Sequence, residues 1–282
     1  MIRLLLWLLL ASPAAAAELK IATWNLEWLT LRQAGDPALP PDVVPKQPPH
    51  HAMLQAYALA LDADVIALQE VDGPAAAATV FPPSMYRIIM TGDAVVQRVG
   101  FAVRRSLTVT QNPDLVALDV YGPSAARRLR SGADITVDMP GGRLRLLAVH
   151  LKTGCNHDRL NSGRRECDVL RAQLPALQGW ITQRRQEGVP FVVLGDFNRR
   201  MEGRDELLAA LNASAPLLRA TEGRASPCWG GGAFIDHILA GGAARAWMQP
   251  GTLRVLTYRE PISQREELSD HCPVSVRFAL PD

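Results

Sequence analysis

Six short segments hold the side chains best suited to chemistry. They are Trp24-Asn25-Leu26, Leu68-Gln69-Glu70-Val71, Val149-His150-Leu151-Lys152, Gly195-Asp196-Phe197-Asn198, Phe234-Ile235-Asp236-His237 and Ser269-Asp270-His271-Cys272-Pro273-Val274. In four places an apolar run stops at polar residues: Trp24 leads to Asn25, Leu68 to Gln69-Glu70, Val149 to His150, and Leu194 to Gly195-Asp196. Open α/β sheets usually place their sites at such strand ends. Carboxylates, amides and imidazoles gathered there would hold a hard cation and move protons.

Each segment alone also has a plain structural reading. Gly-Asp after a strand is often only a turn. Ser269-Asp270 serves equally as a local backbone cap, and His150 or His271 as a satisfied core histidine. Asn25 could simply bridge a bend. Glu70 resists this treatment, because it follows the apolar run Val65-Ile66-Ala67-Leu68 and starts near a buried edge. An unpaired carboxylate there costs several kcal/mol, roughly, and a metal ion removes the difficulty.

The elements that must position these residues follow from periodicity. Leu19 to Trp24 alternates as a strand and breaks at Asn25, and the Pro-rich stretch Asp36 to Pro49 is an irregular loop. Met53, Tyr57, Leu59 and Leu61 predict a helix, Val65 to Leu68 a buried strand. Tyr86 to Met90 and Gly100 to Val103 read as strands across a turn containing Gly92-Asp93. Ala133 to Asp138 and Leu144 to His150 form a hairpin about Pro140-Gly141-Gly142. A helix is expected from about Arg165 to Arg185, stopped by Gly188 and Pro190, then a strand over Phe191 to Leu194 and a short helix over Asp205 to Leu211. Phe234 to Leu239, Leu253 to Tyr258 and Val274 to Phe278 supply the closing strands. Hairpins mixed with strand–helix alternation argue for one α/β layered domain.

Taken together and in this order, the six segments resemble the signature motifs of the endonuclease/exonuclease/phosphatase superfamily, which includes pancreatic-type deoxyribonucleases, apurinic endonucleases, neutral sphingomyelinases and inositol polyphosphate phosphatases. The resemblance spans nearly the whole chain after its first residues. It implies a four-layer α/β sandwich: two mixed β-sheets packed face to face, with helices outside.

The chemistry of that superfamily calls for these residue types. Hydrolysing a phosphoester means neutralising an anionic phosphorus centre, deprotonating water and stabilising the departing oxygen. Glu70 and the Asn25 side-chain carbonyl fit as hard oxygen ligands for Mg2+, with Mn2+ or Ca2+ as substitutes. The resemblance adds Asp270 to the metal set. Asp196 is the candidate general base, and Asn198 binds phosphate or positions the water. His271, oriented by Asp236, would stabilise developing charge as an imidazolium. His150 resembles the family's second phosphate-facing histidine. Arg130, in the run Arg127-Arg128-Leu129-Arg130, stands where relatives often carry a phosphate-binding arginine, and Lys152 shares the face of His150 if that strand continues. Glu27 has a weaker claim to a metal role. Arg164-Arg165 and Arg184-Arg185 read as solvated surface.

Composition bounds the rest. Met1-Ile2-Arg3, an apolar stretch from Leu4 to Leu10 and the run Ala14 to Ala17 match a secretory leader over residues 1–17, ahead of a single catalytic domain over 18–282. The apolar stretch is too short for a membrane anchor, since spanning takes about twenty residues. No later stretch of the sequence is long and apolar enough to span a bilayer. Four cysteines in an exported chain, periplasmic or secreted, suggest two disulfides. The short spacing of Cys155 and Cys167 favours that pair and leaves Cys228 with Cys272. Free buried thiols are the alternative, and zinc is a poor third without a Cys-x-x-Cys spacing. The formal net charge of +2 gives no global pull on polyanions. The sequence therefore points to a monomeric phosphodiesterase acting on a phosphoester substrate, foremost DNA or RNA. A sphingomyelinase- or inositide-type lipid enzyme is the alternative, and a noncatalytic binder on the same fold is a third reading.

Overall fold

The computed structural model describes residues 18–281, except positions 123, 124, 126 and 140. The expected leader and Pro140 of the expected turn lie outside the described residues. The strands are β1 (Glu18–Leu29), β2 (Val65–Val71), β3 (Tyr86–Met90), β4 (Arg98–Arg104), β5 (Thr108–Gln111), β6 (Ala133–Met139), β7 (Gly142–His150), β8 (Phe191–Asp196), β9 (Leu217–Arg219), β10 (Asp236–Gly241), β11 (Met248–Val255) and β12 (Val274–Ala279). The helices are α1 (Pro48–Leu61), α2 (Pro74–Val80), α3 (Arg165–Glu187), α4 (Glu206–Ser214), α5 (Ala244–Trp247) and α6 (Arg265–Leu268).

The strands form two mixed six-stranded sheets, ordered β11-β12-β1-β2-β4-β3 and β5-β6-β7-β8-β10-β9. Each contains one parallel pair, β1–β2 and β7–β8, and those connections carry the crossover helices α1 and α3. The central strands are continuous apolar runs because both faces are covered. In β2, Val65 and Ala67 face the core between the sheets, whereas Ile66 and Leu68 pack beneath α1 and α2. In β8, Val192 and Leu194 face inward, and Phe191 and Val193 meet α3 and α4. The result is the four-layer α/β sandwich.

Local chemistry sets the helix ends. Pro48 and Pro49 open α1 in its first turn, where a missing N–H costs nothing, so the helix begins inside the stretch read as irregular loop. It ends at Asp62 in the left-handed conformation, and α3 ends likewise at Gly188.

Several boundaries differ from the sequence reading. β1 does not stop at Asn25 but runs on to Leu29, with a register shift against β2 between those residues and left-handed φ at Glu27 and Trp28. β11 begins earlier than the expected Leu253–Tyr258 strand and ends at Val255, and its pairing with β12 shifts register between Gln249 and Arg254. α2, β5 and β9 carry no periodic signal: α2 is largely alanine, and β5 and β9 span four and three residues.

Candidate active site

Three cluster members sit side by side in one ladder. His150 at the end of β7 is paired with Asp196 at the end of β8, and Asp196 with Asp236 at the start of β10. The register requires close strand approach at Gly195, where a Cβ would lie 2.0 Å from the Val149 carbonyl oxygen and φ is +142°. Only glycine tolerates this. From the other sheet, Asn25 on β1 is paired with Gln69 on β2, which brings Glu70 to the same cleft. The loop before β12 supplies Asp270 and His271.

The side chains form one network. Asn25 Nδ2 donates to Glu70 Oε1 (3.2 Å) and to Asp196 Oδ2 (3.1 Å), linking the two sheets. Its oxygen accepts from the Glu27 N–H (2.9 Å). As a carbonyl ligand to a cation, Asn25 would have to turn its amide over and exchange those bonds. Glu70 Oε2 accepts from the Trp28 N–H (3.2 Å) and from Gln97 Nε2. Asp196 Oδ1 accepts from the Asn198 N–H (2.7 Å), and Asn198 Nδ2 donates to Asp196 Oδ2 and to the Leu151 carbonyl (both 3.2 Å). Asp196-Phe197-Asn198 thus closes as a tight loop at the end of β8.

His271 Nδ1 meets Asp236 Oδ2 at 2.8 Å, while its Nε2 lies 3.7 Å from both Asp196 Oδ2 and Asp270 Oδ1. His150 Nε2 lies 3.5 Å from Asp196 Oδ2, 3.7 Å from Glu70 Oε1 and 3.3 Å from Arg130 Nη2.

Electrostatics divides the two imidazoles. Burial pulls His150 well below the usual histidine value, helped by Arg130 and His271, so it is neutral. Burial also opposes charge on His271, but Asp236 and Asp196 outweigh it and hold the ring well above the usual value as an imidazolium. Burial pushes Asp196 up to about 7, with Asp236 adding to it against the pull of His271. Burial and then Asp270 push Glu27 up to about 7.

Backbone strain concentrates at the same place. Of the six non-glycine residues with left-handed φ among the described residues, Glu27, Trp28, Glu70 and Asn198 belong to this cluster, and Trp229 flanks it. The φ of 54° at Trp28 aims its N–H at Glu70, and that of 50° at Asn198 closes its loop back on Asp196.

The loop bearing His271 is tied down on several sides. Ser269 Oγ donates to the Asn25 carbonyl (2.7 Å) and accepts from the His271 N–H (3.0 Å). Tyr258 OH donates to the His271 carbonyl (3.0 Å), and Trp229, stacked on Tyr258, donates to the Ser269 carbonyl (2.8 Å). Disulfides join Cys228 to Cys272 and Cys155 to Cys167. A cleft of about 270 Å³ opens beside this loop, lined by Trp229, Gly232, Asp236, Arg265, Asp270 and His271. A larger hollow of about 460 Å³, between the Pro-rich loop and α1, includes none of the cluster residues in its walls.

Lys152 is not drawn into this network. β7 ends at His150, so the expected shared face is lost. The Lys152 N–H donates to Gln173 of α3, and its ammonium donates to the Thr153 carbonyl (3.0 Å). Gln97, Ser269, Tyr258 and Trp229 took no site role in the sequence reading. Gln97 sits in a turn without pattern, and the others contribute through the partners they reach across the fold.

The donor set suits a hard divalent cation. Glu70 presents an oxygen to the cleft beside Asp196, Asp236 and His271, whose ligand atoms lie within 4.8 Å of one another. Glu27 and Asp270 flank them, the Asp270 N–H donating to Glu27 Oε2 (2.9 Å). Such oxygen-rich, carboxylate-dominated surroundings could hold a divalent cation.

The model of the endonuclease/exonuclease/phosphatase family matches residues 22–271. Among solved structures, a 3′ phosphatase, NExo from Neisseria, bound to product DNA hairpin, superposes with a TM-score of 0.60 at 20% identity, covering 93% of this chain and 100% of that one. TDP2 of D. rerio complexed with single-strand DNA product gives 0.61 at 17% identity, over 94% and 100%. The human Nocturnin catalytic domain with bound sulfate gives 0.61 at 16%, over 94% and 95%. No curated protein sequence matches significantly. The chain belongs to the endonuclease/exonuclease/phosphatase family.

Proposed function

We propose that this family member is an exported, divalent-metal-dependent phosphodiester hydrolase acting on nucleic acid. The observation that carries the reading is the convergence, from both sheets, of Glu70 and Asn25 on Asp196, His150 and the Asp236–His271 pair. Glu70 and Asp270, with Asn25 turned over, are the residues that would hold the cation. Bound there, the ion would neutralise charge on the phosphate.

The remaining work falls to the chain's own groups. Asp196, poised near 7, takes the proton from the attacking water. Asn198 fixes the orientation of that carboxylate through its backbone N–H and its side-chain amide. His271 stays protonated through Asp236 and points Nε2 at the centre of the cluster, where it stabilises a non-bridging oxygen. Neutral His150 and charged Arg130 line the opposite wall. Nucleic acid as the substrate is favoured by the product DNA in the NExo and TDP2 structures. Export is supported by the leader-like residues 1–17 and by two disulfides. Among the described residues, no helix is long and apolar enough to cross a membrane.

The test is a substrate panel of plasmid DNA, RNA, sphingomyelin, inositol phosphates and bis-p-nitrophenyl phosphate, each with Mg2+ or EDTA. Nucleic acid should be cleaved only with metal, and His271→Ala and Asp196→Ala should each lose about 10²- to 10³-fold. Turnover of sphingomyelin or inositol phosphates alone would replace the substrate assignment. Cleavage that survives both substitutions and EDTA would overturn the mechanism.

A further inference from the structure

The connection between β3 and β4 reaches the active site at two points. Asp93 accepts from the Ser131 N–H (2.9 Å) and from Ser131 Oγ (2.7 Å), and Gln97 contacts the preceding residue, Arg130. The Gln97 amide is bipolar in use. Its Nε2 donates to Glu70 Oε2, and its Oε1 accepts from Arg130 Nη2 (3.0 Å). The orientation is dictated by the partners: turned over, the amide would set oxygen against a carboxylate and N–H against a guanidinium. Arg130 Nη2 in turn lies 3.3 Å from His150 Nε2, and Arg130 Nε is buried without a partner among the described residues.

We infer that Gln97 is a positioning residue for the reaction, one amide that fixes both the Glu70 carboxylate and the Arg130 guanidinium across the cleft. Among the described residues, Glu70 is otherwise gripped at Oε2 by the Trp28 N–H alone, and at Oε1 by Asn25. Without Gln97 the carboxylate gains freedom to rotate. Arg130 loses the acceptor that keeps its fork beside His150. Partners that orient a ligand typically govern metal affinity or activity by about 10- to 100-fold.

The inference rests on the hydrolase reading, and its test separates the two. Gln97→Met, close in size but unable to form either bond, should keep the wild-type melting midpoint within a few degrees, since Gln97 lies in a partly exposed turn. Calorimetric titration of metal-free protein with Mg2+ should show affinity weakened by about 10-fold or more. kcat should fall by a similar factor with little change in KM. Arg130→Lys should cost less in the Gln97→Met background than in the wild type, because the link it breaks is already cut. Wild-type Mg2+ affinity and kcat in Gln97→Met, or fully additive losses with Arg130→Lys, would overturn the inference. Wild-type protein that neither binds Mg2+ nor cleaves any phosphoester would instead remove the hydrolase reading. Gln97→Ala serves the same comparison if the methionine variant unfolds.

Discussion

Asp236 Oδ2 lies 2.8 Å from His271 Nδ1, so a strand of one sheet holds the imidazole carried by the loop that leads into the other sheet. Burial alone would strip the ring of its proton, and Asp236, followed by Asp196, reverses that outcome. The folded value is raised, so this stabilisation is complete below the unfolded histidine value of about 6.5 and is lost as pH climbs through the folded one. Asp236→Asn should therefore shift the alkaline limb of kcat/KM downward by about 1 pH unit or more. The melting difference from wild type should be largest below pH 6.5 and shrink at high pH. An alkaline limb that does not move would argue that another group limits the rate.

Asp196 gives the opposite sign. Its carboxyl is raised by burial to about 7, so ionising it costs the folded protein stability. The penalty is absent below the ordinary carboxylate value of about 3.9, grows through the interval and is complete above 7. Metal-free Asp196→Asn should melt a few degrees above wild type at pH 8 and alongside it near pH 4. Its turnover should be lower by about 10²- to 10³-fold. Equal melting at both pH values would mean that the carboxylate is better solvated than its burial implies.

Metal should be visible in stability as well as in rate. A cation bound by the folded state alone raises the melting midpoint with concentration. Wild type should show that rise with Mg2+ and lose it with EDTA. Glu70→Gln should show neither the rise nor activity. A full Mg2+ shift in Glu70→Gln would place the ion elsewhere.

The two disulfides should separate in their effects. Cys228–Cys272 ends one residue from His271, whereas Cys155–Cys167 ties the loop after β7 to α3. Each bridge contributes roughly 2–4 kcal/mol. Replacing Cys228 and Cys272 with alanine should lower kcat at temperatures where circular dichroism is unchanged. Replacing Cys155 and Cys167 should mainly lower the melting midpoint. Unchanged turnover in the first variant would show that Ser269, Tyr258 and Trp229 hold the loop unaided.

Much of this architecture was legible in the residues, for identifiable reasons. Strands buried on both faces, such as β2 and β8, announce themselves as apolar runs, and the polar residue that ends each run lies in the candidate site. The short spacing of Cys155 and Cys167 foretold both bridges. Residues whose role depends on distant partners stayed silent. Gln97 matters because a turn brings it to Glu70 and Arg130, and no local pattern encodes that meeting. The shared face of His150 and Lys152 depended on β7 continuing, and β7 ends at His150, with the Lys152 N–H turned to Gln173 of α3.

Because His150, Asp196 and Asp236 face one another across adjacent strands, the spacing of the reactive groups is inherited from backbone ladders. A single-residue insertion in β8 would send Asp196 to the opposite side of its sheet and bring another side chain opposite His150, even with every reactive residue still encoded. Connections that carry none of the clustered groups can therefore change in length without disturbing that spacing, whereas a residue added within these three strands breaks the alignment on which the proposed chemistry depends.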